Sequence, residues 1–127
     1  MKSLILFFPI LLAGCSKQVL PSGSYELNFV SSVWKKSESA KWREGEDSGR
    51  QQMLGSLINE NLAGKSREQI INLLGSPSTK MDPDGEGPSL SYPTGPQRGS
   101  YFGVDYEWLI IQFDSTKNYK SYYLASD

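Results

Sequence analysis

The tripeptide Gly64-Lys65-Ser66 has the residue types that end a phosphate-binding loop, in which backbone N–H groups and a lysine hold the phosphates of a nucleotide. The full pattern requires another glycine five residues before Gly64, and Asn59 occupies that position within apolar spacing typical of a helix. We therefore predict no nucleotide binding. A weaker alternative is an anion site at the helix start, beside Lys65 and Arg67.

Three acidic residues, Asp82, Asp84 and Glu86, occupy alternate positions before Gly87, as at the start of a calcium loop of the EF-hand type. Such a loop needs a bidentate glutamate at its twelfth position, and that position is Pro93. We interpret the acidic run as a solvated loop, with calcium binding as the weaker alternative. No metal ion or other cofactor is predicted.

Groups suited to catalysis are few in this chain. It has no histidine, and Cys15 is its single cysteine. Histidine is the commonest general base, and a cysteine nucleophile usually needs a histidine partner. The carboxylates Asp105, Glu107 and Asp114 flank predicted strands, where acidic side chains are usually solvated. We therefore predict a binding or scaffolding protein and no enzyme.

The first residues have the features of a secretory signal. Lys2 supplies a positive charge, residues 4–12 form an apolar run too short to span a bilayer, and Leu12-Ala13-Gly14-Cys15 ends the run with small residues before a cysteine. This ending resembles a bacterial lipoprotein signal. Residues 1–14 are therefore predicted to be removed and Cys15 to carry acyl chains such as palmitate; an ordinary signal peptide with a chance cysteine is the alternative.

Residues 15–24 include Pro21 and Gly23 and lack apolar periodicity, which predicts a flexible tether between the lipid and a single folded domain of residues 25–127. The 13 basic and 14 acidic residues nearly balance, so the composition gives no reason to expect a nucleic-acid partner. Because Ser16 and not aspartate follows the cysteine, we expect the protein at the periplasmic face of the outer membrane, held by its lipid.

Apolar spacing and capping residues predict two helices. The first covers residues 50–62, begins after a cap at Asp47 or Ser48, and ends at Gly64. Its apolar side consists of Met53, Leu54, Leu57, Ile58 and Leu62.

The second helix begins at Ser66, whose side chain forms the pattern of a capping box with that of Gln69. Gly75 ends the helix, and Pro77 prevents its continuation. Together with Gly64, these four residues are expected to determine the fold.

The C-terminal half carries the strand signals. Residues 90–92 form a short candidate strand, and residues 106–113 and 119–124 are rich in aromatic and branched side chains with a hairpin turn between them. Residues 79–100 contain four of the seven prolines and four of the twelve glycines of the chain. This order of elements predicts an α+β fold in which a hairpin of two helices packs on a three-stranded antiparallel sheet.

Alternation along the strand at 106–113 puts Leu109 and Ile111 on one face and Trp108 on the other. The lead-in of residues 25–42 has no clean apolar period, and we expect it to be irregular and to pack Phe29 and Trp34 against the core. If the helices cover the first face of the sheet, the second displays aromatic side chains unless this lead-in wraps over it. The candidate partner-binding residues are Trp108, Tyr101, Phe102, Tyr119 and Tyr123, together with the Pro/Gly loop of residues 82–99. The alternative is that most of these aromatics serve in packing.

The segment GKSREQIINLLGSP at 64–77, followed by WLIIQFD at 108–114, resembles the BamE family, also called SmpA/OmlA. Members of that family carry a G-M-T-x-x-Q-V-x-x-L-L-G-x-P helix and a strand ending in F-D. The resemblance covers residues 53–124. It implies a small outer-membrane lipoprotein with two helices on a three-stranded antiparallel sheet, and an accessory role in the insertion of β-barrel proteins.

We therefore expect a lipid-anchored envelope protein that binds a protein partner, in outer-membrane protein assembly or in envelope maintenance. The same arrangement of elements is similar to that of β-lactamase inhibitory proteins. The alternative function is accordingly a periplasmic inhibitor or a ligand-binding module of the same fold.

Overall fold

The computed structural model describes residues 19–41, 45–79, 89–98 and 105–127. Its elements are helix α1 (Ser31–Trp34), a 3-10 turn (Ser37–Ala40), helices α2 (Gly49–Glu60) and α3 (Arg67–Leu74), and strands β1 (Leu90–Pro96), β2 (Tyr106–Phe113) and β3 (Tyr119–Ser126). The predicted α+β class and three-stranded antiparallel sheet are confirmed, in the order β1-β2-β3. The short helix α1 was not predicted.

Several predicted features lie outside the described residues: the signal segment 1–14, Cys15, the acidic run with Asp82, Asp84 and Glu86, and the aromatics Tyr101 and Phe102. Of the predicted tether, residues 19–24 are described. Leu20 packs into the core and Ser24 is fully buried, with its carbonyl accepting the Gly55 N–H at 2.7 Å. The packed part of the chain therefore begins at Leu20, earlier than the predicted boundary at Tyr25.

The helix ends follow the local chemistry of the sequence. Ser48 caps α2 and forms a capping box with Gln51, which settles the choice between Asp47 and Ser48. The predicted box at α3 is confirmed, because the Gln69 N–H donates to Ser66 Oγ at 3.1 Å and the Ser66 N–H donates to the Gln69 side chain at 2.8 Å.

One of the two predicted glycine ends is confirmed: Gly75 is the C-cap of α3, whereas α2 has Asn61 as its C-cap and Gly64 lies three residues further along, in the turn before α3. Gly64 follows α2 with a φ of 80°, and Gly75 follows α3 with a φ of 91°, values that a side chain with a Cβ rarely adopts. Helix α2 ends at Glu60 and not at Leu62, although Leu62 is still fully buried.

Strand β1 is longer than predicted and contains Pro93 and Pro96. Proline is tolerated there because β1 is an edge strand, where an N–H need not join the ladder. A register shift lies between Pro93 and Gly95. The start of α2 covers the strand: Arg50 Nη1 donates to the Pro93 carbonyl and Gln51 Nε2 to the Pro96 carbonyl, both at 2.8 Å.

The core lies between the helices and one face of the sheet. Phe29 and Trp34 pack against this core as predicted for the lead-in. The fully buried large side chains are Trp34, Tyr92, Met53, Leu54, Leu57, Leu62, Ile70, Leu74, Leu90, Leu109, Ile111 and Gln51.

Candidate partner-binding surface

The described residues of the predicted aromatic patch do not lie together. Trp108 is only 4% exposed, so it offers no surface to a partner, contrary to the prediction. It lies on the central strand β2 between Pro93 and Ala125. Ile110 on the same face is 3% exposed, and Leu109 and Ile111 on the other face are fully buried, so both faces of the strand are covered.

The two tyrosines of the predicted set that are described lie on opposite sides of the sheet. Tyr123 pairs with Ile110 and is 43% exposed on the face away from the helices. Tyr119 packs against the core on the helix side. A single patch that contains both is therefore excluded.

Tyr119 instead belongs to another group, which we call the tyrosine row: Tyr25, Tyr122 and Tyr119. Tyr122 and Tyr119 are half-buried against the edge of the core, and Tyr25 is 62% exposed. Burial raises the pKa of Tyr122, and the nearby Tyr25 raises it further. Burial also raises the pKa of Tyr119, with a smaller contribution from Tyr122. Tyr119 and Tyr122 both pack against the core from β3, and Tyr25 is close enough to Tyr122 to affect its pKa.

The position of Tyr25 depends on a glycine in α2. A Cβ added to Gly55 would overlap the Tyr25 ring, so the ring lies directly on the helix backbone. The Gly55 N–H and the Ser24 carbonyl fix the chain one residue before the ring. In the sequence, the only sign of this contact is a glycine inside a helical pattern, which indicates close packing.

A second exposed group follows Tyr25 along the chain. Leu27, Val30 and Val33 are 44%, 46% and 39% exposed, and we call them the apolar strip. The strip is held against α2, because the Leu27 N–H donates to the Gln52 carbonyl at 3.0 Å. Our sequence prediction assigned this lead-in to packing; no clean period distinguished its exposed apolar residues from the buried ones.

A buried ionic group, the Arg98 cluster, joins the N-terminal segment to the sheet. Arg98 binds Glu107 through two hydrogen bonds, of 3.0 Å from Nε and 2.9 Å from Nη2. Its Nη1 donates to Ser24 Oγ at 2.9 Å and lies 3.5 Å from the Asp47 carboxylate. Thr94 Oγ1 donates to Glu107 at 2.6 Å.

The Arg98 cluster corrects the prediction that Glu107 is a solvated strand end. Glu107 is 5% exposed, and buried charges of this kind require a partner with good geometry. These contacts join the N-terminal segment to β1 and β2, so the cluster acts as a structural link.

Arg50 is also buried, within the core and beside Trp34. Its guanidinium lies 5.0 Å from the Trp34 ring centre, and its Nε donates to the Trp34 carbonyl at 2.8 Å. Burial lowers the pKa of Arg50, and the nearby hydroxyls of Tyr92 and Tyr106 oppose that shift. An arginine whose donors point at main-chain carbonyls positions the backbone and is poorly placed to bind a ligand.

Ionisation of Tyr92 at high pH is expected to destabilise the fold. Its hydroxyl donates to the Gly75 carbonyl at 2.7 Å, and burial raises the pKa of Tyr92 above its usual value. The unfolded chain ionises near pH 10 while the folded protein still holds the proton. The contribution of Tyr92 to the free energy of unfolding is therefore fully present below about pH 10. It decreases above that pH, by up to about 1.4 kcal/mol per pH unit.

We expect urea unfolding at pH 8 and at pH 11 to show this loss of stability. Tyr92→Phe loses one hydrogen bond, about 1 kcal/mol at pH 8, but it should lose less additional stability than the wild type between the two pH values. An equal alkaline loss in both proteins would exclude Tyr92 as the cause.

Two shallow depressions lie on the surface formed by the described residues. One, of about 300 Å³, lies at the start of α3 between Ser66, Arg67 and Lys117. The other, of about 210 Å³, lies beside Arg98 and Leu124. Across residues 19–41, 45–79, 89–98 and 105–127, no group of three or more acidic or cysteine side chains is placed to hold a metal ion. No helix in these ranges is long and apolar enough to cross a membrane.

No family model, curated protein or solved structure matches this chain.

Proposed function

We propose that this chain is a lipid-anchored protein of the cell envelope that binds a protein partner and catalyses no reaction. The observation that carries the proposal is the tyrosine row, in which a 62% exposed ring lies directly on the Gly55 backbone and two further rings on β3 are half-buried at the edge of the core. Tyrosine is enriched at protein interfaces because it offers a large contact area, a hydroxyl group and few rotatable bonds.

The proposed anchor is Cys15, supported by the small residues before it and the apolar run of residues 4–12. It places the domain at the membrane surface, and the proposed location is the periplasmic face of the outer membrane. A role in outer-membrane protein assembly or envelope maintenance is supported by the BamE-like segment at 64–77, with its capping box and with Gly75 as the C-cap of α3.

Binding through the tyrosine row predicts that Tyr25→Ala weakens the partner complex by about 2 kcal/mol, or about 30-fold in Kd, as for an interface hot spot. Photo-crosslinking from position 25 in intact cells would first identify the partner. Titration of the purified partner would then give the affinity. Tyr123→Ala is the matched control, because Tyr123 is exposed on the opposite face of the sheet.

Gly55→Ala separates binding from folding. The added methyl group must displace the Tyr25 ring, whereas alanine favours a helix interior over glycine by about 1 kcal/mol. We expect weaker partner binding without a large loss of thermal stability. Unchanged affinity in both Tyr25→Ala and Gly55→Ala would exclude the tyrosine row as the binding surface.

A further inference from the structure

We propose that the apolar strip lies against the lipid bilayer, so that the protein contacts the membrane through Leu27, Val30 and Val33 as well as through its anchor. This inference rests on the proposed acylation of Cys15. Apart from Tyr25 and Tyr123, every large apolar side chain among the described residues that is clearly exposed lies in this strip or at Val19. The N-terminal segment thus concentrates apolar surface.

The chain between the anchor and the domain is short. Leu20 is the first described residue that packs into the core, and the five residue steps from Cys15 span at most about 17 Å even when fully extended. The radius of gyration expected for a domain of this size is about 13 Å. The domain therefore cannot move away from the bilayer by more than roughly its own radius. The segment that follows Leu20 is the part of the chain held nearest to the lipid.

The strip has the chemistry of an interfacial contact. Val30 and Val33 stand three residues apart around the single turn of α1, while Trp34 on the same turn points into the core. Backbone groups of the strip are satisfied within the protein, because the Leu27 N–H donates to Gln52 and the Phe29 N–H donates to Ser56 Oγ at 2.9 Å. The side chains can therefore enter the headgroup region without exposing unpaired N–H groups there.

Charge next to the strip favours an anionic lipid surface. Lys35, Lys36 and Lys41 are exposed, against two exposed acids, Glu26 and Glu38. Within the described residues, Lys35 and Lys36 make no ion pair. Lysines beside an apolar contact can reach headgroup phosphates while their alkyl stems lie along the apolar surface.

Fluorescence quenching in reconstituted membranes tests this orientation. The full-length chain is produced in acylated form and placed in vesicles of phosphatidylethanolamine and phosphatidylglycerol, with or without brominated acyl chains. Acylation blocks the only native thiol, so Val30→Cys supplies a single labelling site for an environment-sensitive dye. Tyr123→Cys is the matched control, at an exposed position on the face of the sheet away from the helices.

We expect brominated lipid to quench the dye at position 30 at least about twofold more strongly than the dye at position 123, because interfacial side chains enter about 5–10 Å into the headgroup and acyl boundary. Equal, weak quenching at both positions in a membrane-bound protein would overturn the inference and leave the anchor intact. If the dye at position 30 is shielded from water but is not quenched by brominated lipid, protein and not lipid covers the strip. That result would also overturn the inference.

The anchor itself is tested separately, in intact cells. Cys15→Ser should release the chain into the soluble fraction. If the variant and the wild type distribute alike and neither carries acyl chains, the proposed anchor fails, and the membrane contact that rests on it fails as well.

Discussion

Glu107→Ala is expected to destabilise the protein by about 3–5 kcal/mol, because it leaves the Arg98 guanidinium largely buried without its bidentate partner. The side chains of Arg98 and Glu107 are 11% and 7% exposed, so solvent screens the exposed charge poorly. Thr94 Oγ1 would also lose its 2.6 Å hydrogen bond to the Glu107 carboxylate. Urea unfolding at pH 7, followed by tryptophan fluorescence, measures the change.

A double variant distinguishes the lost pair from lost packing. Arg98→Met combined with Glu107→Leu removes both charges, and apolar replacement of a buried pair is often neutral or stabilising. We expect this double variant to be more stable than Glu107→Ala. Glu26→Ala, at an exposed site, should change stability by no more than about 0.5 kcal/mol. A Glu107→Ala protein as stable as Glu26→Ala would contradict the structural role of the pair.

Trp34→Ala is the second large effect, with an expected loss of about 3–5 kcal/mol. Trp34 is fully buried, packs edge-on to Tyr92 at 6.4 Å between ring centres, and carries Arg50 on its ring. Alanine removes these contacts and leaves a cavity beside a buried cation. Chemical unfolding followed by circular dichroism is the appropriate measurement, since the substitution removes a fluorophore.

Trp34→Phe is the matched variant for this site. The Trp34 Nε1 is buried and has no hydrogen-bond partner among the described residues, so phenylalanine sacrifices volume but no hydrogen bond. We therefore expect Trp34→Phe to be clearly more stable than Trp34→Ala. Equal losses would mean that the ring contributes little and that the fold tolerates rearrangement around Arg50.

The features that depend on neighbouring residues in the chain could be predicted from sequence. The capping box of Ser66 and Gln69, the glycine at the end of α3 and the two longest strands are set by local hydrogen bonding, backbone freedom and side-chain period. They are visible in the order of residue types, and the structure agrees with them.

The features that depend on distant partners could not be predicted from sequence. Trp108 was assigned to an open face because alternation distinguishes two faces of a strand but cannot show that both are covered. Glu107 was interpreted as solvated because Arg98 is its partner only after β1 and β2 pair. The sequence predicts that β1 ends at Tyr92, because prolines argue against a strand unless an edge position is known.

The composition of β1 has a consequence for association between copies of the protein. An uncovered strand edge can nucleate edge-to-edge association. On β1, Pro93 and Pro96 have no N–H to offer, and their carbonyls are already occupied by Arg50 and Gln51. This side of the sheet is therefore protected against aggregation by its own sequence.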